Sequence, residues 1–225
     1  MKYCIITYIF GKNKETLKEP LVVDDGVEYI CVTDQKGLRS KTWRIVYDVM
    51  PNIKSLRDKM ANVKYNPFKY TNADKILVMD GTMEIKSNIT TLFESFDGYH
   101  IGLKNHPCRS NLEQELPCWK KRGLPQTTIN KFGVIAKSDR ISLSDVKLYE
   151  TCLILYNNDE LCRKICEINL KYMRFLGDGN DMIITNQCPF SYVMHKFFGG
   201  TKIFSINQKG YFNRYSHNSK KINNQ

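Results

Sequence analysis

The stretch Ile76-Leu77-Val78-Met79-Asp80-Gly81-Thr82-Met83-Glu84-Ile85 decides how the rest of the chain is read. Four apolar residues run into an acid and a glycine, and then polar and apolar residues alternate. A short continuous apolar run is what a strand buried on both faces requires, and such strands belong to parallel sheets covered by helices. Sheets of this kind bind ligands outside the carboxyl ends of their strands. Asp80 falls at that end. Gly81 gives the backbone freedom to turn and a ligand room to approach. A carboxylate fixed there suits a divalent cation held against phosphate oxygens. The same letters also spell an ordinary Asp-Gly turn between two strands.

The whole chain has 225 residues, enough for one large α/β domain with a substantial core. The formal net charge is +11. A surplus of that size favours an anionic partner: a nucleotide, a polyanionic glycan, nucleic acid or an acidic membrane surface. The basic residues are scattered rather than blocked, which argues against a nucleic-acid-binding arm. No segment approaches the roughly 20 apolar residues of a membrane span. The apolar start, Lys2 to Gly11, lacks a small-residue cleavage site and reads as a first strand. None of the eight cysteines forms a C-x-x-C pair, so a structural zinc site is not expected. Most lie in apolar runs, as reduced core cysteines of a cytoplasmic protein do.

Upstream of Asp80, Val27 to Asp34 reads as a second strand ending in an acid. Trp43 to Tyr47 reads as a short third strand at an edge. Pro51 is placed to open a helix at its favoured first position, with Ile53, Leu56, Met60 and Val63 as its buried stripe. Arg57 and Lys64 fall on that same side, whereas Lys54 and Lys59 point elsewhere. Two cations on an apolar face need partners. They either face a bound diphosphate or snorkel at the stripe's edge.

Downstream, Ile85 to Phe96 holds a short helix with Asn88 as cap, and Gly98 to Leu103 is a strand. His106 to Glu115 packs a histidine, Arg109 and two carboxylates into a strand-to-helix junction. Residues 117–130, with Pro117, Gly123 and Pro125, read as a mobile loop or lid. Phe132 to Ala136 and Glu150 to Tyr156 read as strands. Asn158 caps a helix over 159–176 with Leu161, Ile165, Ile168, Tyr172 and Phe175 on one face. Gly177 to Asp181 is an acidic turn without the twelve-residue pattern of a calcium loop. Asn186-Gln187 starts a last helix, and a polar tail occupies 219–225.

Taken in order, these pieces resemble the nucleotide-sugar glycosyltransferases of the GT-A fold. The likeness is to the small single-domain enzymes of bacterial polysaccharide clusters and large DNA viruses. It rests on Ile6 to Gly11, Tyr29 to Asp34, Arg57 with Lys64 ahead of Val78-Met79-Asp80-Gly81, His106-Pro107-x-Arg109, Glu150-Thr151 and Asn186-Gln187 before Pro189-Phe190. The resemblance implies a Rossmann-like, three-layer α/β/α domain over 1–218 with a mixed, mainly parallel central sheet. It implies that Thr7, Tyr8 and Asp34 hold the nucleoside, and that Arg57 and Lys64 face the base or diphosphate. Asp80 would hold Mn²⁺ or Mg²⁺, which neutralises the leaving diphosphate. The family motif is Asp-x-Asp, whereas Asp80-Gly81-Thr82 lacks the second acid. The metal would then be held by fewer carboxylates, through Thr82, a water or His217 near the C-terminus, or be dispensable. His106 and Arg109 would touch the sugar or diphosphate. Asn186, where the family has aspartate, would contact the sugar beside Gln187. A base for the acceptor hydroxyl would be Asp181, Glu150 or Asp178, in that order.

The resemblance further implies a UDP-sugar donor and a glycan or glycoprotein acceptor. It implies no specific nucleic acid and no membrane span, and leaves room for peripheral membrane contact in the cytoplasm, the host's if the chain is viral. Two rivals come from other classes. A sugar nucleotidyltransferase wants a glycine-rich phosphate loop, and Phe10-Gly11-Lys12-Asn13-Lys14 offers one glycine. A non-catalytic basic module that binds nucleic acid wants exposed aromatics among its cations, and the aromatics here lie mostly in apolar runs.

Overall fold

The computed structural model describes residues 1–11, 16–121, 123–177 and 186–215. Its strands are β1 (Tyr3–Ile9), β2 (Val27–Thr33), β3 (Arg44–Tyr47), β4 (Lys75–Met79), β5 (Met83–Ile85), β6 (Ile101–Asn105), β7 (Tyr149–Asn157), β8 (Ile203–Ser205) and β9 (Phe212–Arg214). Its α-helices are α1 (Leu56–Lys64), α2 (Thr90–Ser95), α3 (Leu112–Lys121), α4 (Gln126–Ser138), α5 (Glu160–Leu176), α6 (Gln187–Phe198) and α7 (Gln208–Tyr211).

The apolar run became β4, with all its residues buried. It lies at the middle of a seven-stranded sheet of order β3-β2-β1-β4-β7-β6-β8. All strands run one way except β7, which pairs antiparallel with both β4 and β6. Alternate residues feed two cores. Ile6, Tyr8, Ile76, Val78, Ile154 and Tyr156 face the side covered by α1, α3, α4, α5 and α6. Ile5, Ile9, Leu77, Met79, Leu153 and Leu155 face a thinner layer made by α2, Trp43, Ile206 and Phe212. Burying an aliphatic side chain of this size contributes roughly 1.5–3 kcal/mol, so the doubly covered β4 fixes whatever emerges at its end. Just past it, β5 and β9 form a separate two-stranded antiparallel sheet.

Several expectations need correction. Residues 132–136 are not a strand but the middle of α4, whose buried positions Thr128, Phe132 and Ala136 recur every four residues. The segment 117–130 is mostly helical, with Pro117 inside α3, rather than a loop or lid. The first helix starts at Leu56, not after Pro51, because the Ser55 side chain accepts from the Asp58 amide and caps it. Asp159, not Asn158, caps α5 by accepting from the Cys162 amide at 2.8 Å. The buried face of α5 runs through Cys162, Ile165, Cys166, Asn169, Met173 and Leu176, leaving Phe175 exposed. Gly81 is buried, and it is not among the glycines with positive φ. A left-handed turn is therefore not its contribution.

Candidate active site

The chain beyond β4 is held by its backbone before any side chain acts. The Asp80 amide donates to Cys152 O at 3.0 Å, and the Met83 amide donates to Asp80 O at 2.9 Å, closing the turn into β5. Alternation from Val78 sends the Asp80 side chain to the α1 side of the sheet. There the Lys64 ammonium lies 2.9 Å from its Oδ1, and the Tyr8 hydroxyl donates to the same oxygen. Lys64 is 4% exposed and Asp80 31%. Oδ2 has no hydrogen-bonding partner among the described residues. Burial alone would raise the Asp80 pKa; Lys64, Tyr8 and the nearby Arg214 outweigh it and hold the carboxyl below its ordinary value.

Arg214 comes from the far end of the sequence. Its neighbour in β9, Phe212, pairs with Ile85, and Arg214 itself pairs with Met83. The Tyr215 amide donates to Thr82 O at 2.9 Å, which fastens this strand to the turn after Asp80. The Arg214 guanidinium donates to one oxygen of Glu150, and the Lys104 ammonium from β6 donates to the other. Glu150, near the start of β7, is 5% exposed at its side chain. Burial would raise its pKa, but Lys104 and Arg214 hold it below the usual value. Burial, helped by the carboxylates of Glu150 and Asp80 and opposed by Lys104 and Arg214, pushes the Cys152 thiol up to about 12. A second group lies at the end of β2. Asp34 accepts from the Gly11 amide at 2.9 Å and pairs with Lys59 at 2.9 Å, while Gln35 Nε2 donates to Gly11 O at 2.6 Å. Gly11 has φ 83°, and a β-carbon there would lie 2.7 Å from the Leu56 side chain, so only glycine fits.

Of the residues expected to work together, Tyr8, Lys64 and Asp80 do meet, and Asp34 lies at its strand's end. Thr7 does not join them. It points to the opposite face with Ile5 and Ile9, and its buried hydroxyl has no hydrogen-bond partner among the described residues. Arg57 is exposed on α1, whereas Lys59 reaches Asp34. Glu150 is not poised as a base, because both its oxygens are occupied by cations. His106 and Arg109 form their own structural turn. The His106 Nδ1 accepts from the Cys108 and Arg109 amides at 3.2 and 3.1 Å, and Arg109 Nε lies 2.5 Å from the fully buried Glu115. Asn186 accepts from the Thr151 hydroxyl at 2.5 Å at the start of α6, and the Oε1 of Gln187 is buried with no hydrogen-bond partner among the described residues. Asp178, Asp181 and His217 lie outside the described residues. Lys59, Lys104 and Arg214 were missed. Lys59 lies inside α1 and Lys104 near the end of β6, and neither these nor Arg214 carries a cue in the sequence.

Among the described residues, which exclude Asp178, Asp181 and His217, the donors do not make up a site for the divalent cation that the resemblance implies. Asp80 has one oxygen left, Glu150 has none, and Thr82 offers a hydroxyl in a turn. No group of three His, Cys, Asp or Glu able to hold an ion occurs among the described residues. Hard cations want several oxygens of net negative charge, and here cations have taken those places.

The architecture is that of the GT-A-type glycosyltransferase fold. It is shared with the apo crystal structure of mouse xyloside xylosyltransferase 1, at 11% sequence identity and a TM-score of 0.50, over 92% of this chain and 86% of that one. Two structures of the glycosyltransferase GlyE from Streptococcus pneumoniae TIGR4, one of them apo, match at 10% and 11% identity and a TM-score of 0.47. They are matched over 93% of this chain and 46% of theirs, so the chain spans less than half the length of GlyE. No family model matches the sequence, and no curated protein matches it. Among the described residues, no helix is long and apolar enough to cross a membrane.

Proposed function

We propose that the chain is a glycosyltransferase that moves a sugar from a nucleotide sugar, with UDP as the expected leaving group, to a hydroxyl of a glycan or glycoprotein. The observation that carries this reading is the Tyr8–Lys64–Asp80 group at the carboxyl end of the central strand of a GT-A-type sheet, the place where such sheets take their ligands. Asp34, anchored by Gly11 and Lys59 two strands away, would accept hydrogen bonds from the nucleoside through the lone pairs those partners leave free. In transfer, the bond between the sugar's anomeric carbon and the diphosphate oxygen breaks, and its electron pair stays on that oxygen. The acceptor oxygen bonds to the anomeric carbon, and its proton leaves to a base, for which Asp181 and Asp178 are the candidates. The residues at the Asp80 end bind and orient the diphosphate while this happens.

The test is a thermal-shift panel of nucleoside diphosphates and nucleotide sugars on the full chain. A ligand at 100 times its dissociation constant stabilises by ~2.7 kcal/mol, which a melting curve resolves. We expect UDP and its sugars to raise the melting temperature more than adenosine phosphates do. A panel in which no diphosphate or sugar nucleotide moves the melt overturns the reading.

A further inference from the structure

At the Asp80 end, three cations (Lys64, Lys104 and Arg214) meet two carboxylates, Asp80 and Glu150. Each carboxylate already has a lysine, so among the described residues one positive charge of this group is in surplus, and it belongs to Arg214. Lys64 is 4% exposed and Lys104 15%, and each reaches only its own acid. Arg214 is different. Its side chain is 31% exposed, and only its Nη1 donates to Glu150. A guanidinium carries five N–H donors in a planar fork. The others have no protein partner among the described residues and match the oxygens of a phosphate.

We propose, resting on the transferase reading above, that Arg214 takes the donor's diphosphate directly and that this replaces a divalent cation on Asp80. Lys104 cancels the charge of Glu150 and Lys64 that of Asp80, which leaves the Arg214 charge available to an anion. A divalent ion on Asp80 Oδ2 would stand beside an ammonium bound to the same carboxylate, and like charges at such spacing repel strongly. A diphosphate meets the opposite field. As the sugar bond breaks, the departing oxygen gains negative charge, and a fixed guanidinium stabilises that change without reorganising. Lys64 and Lys104 are positioning residues in this scheme; Arg214 is the group that touches the leaving anion.

Calorimetric titration of the full chain with UDP and with inorganic pyrophosphate, each in EDTA and in excess Mn²⁺, tests the assignment. We expect dissociation constants that agree within about threefold between the two conditions. We expect Arg214→Ala to weaken both ligands at least about tenfold and Arg214→Lys to retain part of the affinity. Asp80→Asn should bind pyrophosphate in EDTA as tightly as the parent or more so, because it removes a negative charge and frees Lys64. Ligand-free melting of each variant separates lost binding from lost folding. Binding that needs Mn²⁺ and disappears in Asp80→Asn overturns the assignment while leaving the transferase reading in place. A folded Arg214→Ala that binds like the parent also overturns it. Failure of both ligands to bind in either condition overturns this assignment and the transferase reading together.

Discussion

Strand β4 has a buried lysine paired with an aspartate at each of its ends, and the two pairs differ in what surrounds them. At its start, the Lys75 ammonium donates to Phe93 O at 2.6 Å, pairs with Asp97, and lies 5.7 and 5.6 Å from the rings of Tyr3 and Phe96. Every charge there has its counterpart, and Asp97 stands largely in water. At its finish, Lys64 and Asp80 are joined by Tyr8, Glu150, Lys104 and Arg214, and among the described residues one positive charge of this group is left over. A buried ion pair by itself is a structural device that often contributes little net stability. A cluster with unbalanced charge at a strand's carboxyl end is what an anionic ligand can use.

The comparison can be broken by substitution. The largest effect is expected at Glu150. Glu150→Leu leaves Lys104 and Arg214 facing each other without their anion and should cost about 3–5 kcal/mol in denaturant unfolding. A loss under about 1 kcal/mol would mean that the cluster is loosely held. Asp97→Ala comes next. It strips Lys75 of its charged partner but leaves the Phe93 carbonyl, for a loss of about 2 kcal/mol with UDP affinity unchanged. A fall in affinity there would erase the distinction between the two ends.

The pH dependence sharpens the contrast by a smaller amount. The folded pKa values of Asp80 and Glu150 are depressed, while unfolded Asp and Glu titrate near 3.9 and 4.3. Their contribution is complete above those unfolded values and is lost as pH falls from about 4 through the folded values. Unfolding free energy should therefore decline in acid, and Glu150→Gln should flatten that decline. Lys75→Met should cost about 1 kcal/mol, because the Phe93 carbonyl loses its donor while an apolar chain of similar length fills the site and Asp97 stays in water. Arg57→Ala, on the exposed face of α1, should stay within about 0.5 kcal/mol and leave nucleotide binding as it was.

What could be read from the sequence was local and strongly patterned. Ile76 to Met79 is apolar throughout because β4 has strands on both sides and cores on both faces, so its place and the emergence of Asp80 followed from the residues alone. Phe132-Gly133-Val134-Ile135-Ala136 misled because its composition favours a strand, while its buried positions, Phe132 and Ala136, follow the helical period set from Thr128. Arg57 was preferred to Lys59 because Ile53 was counted into a helix that Ser55 starts later. Arg214 was out of reach, since only the pairing of β9 with β5 brings it from more than a hundred residues away to the turn after Asp80.

The reversal of β7 carries one more consequence. Its last residue, Asn157, pairs with Lys75, so α5 departs from the far edge of the sheet. The positive end of that helix's macrodipole is spent there, capped by Asp159. In open sheets of parallel strands the connecting helix commonly greets a phosphate with its own amides; here the crossover from β7 faces away. The amides of α5 therefore play no part at the Asp80 end, where Lys64, Lys104 and Arg214 display their charge on side chains, and such a charge can be adjusted one residue at a time without disturbing the backbone.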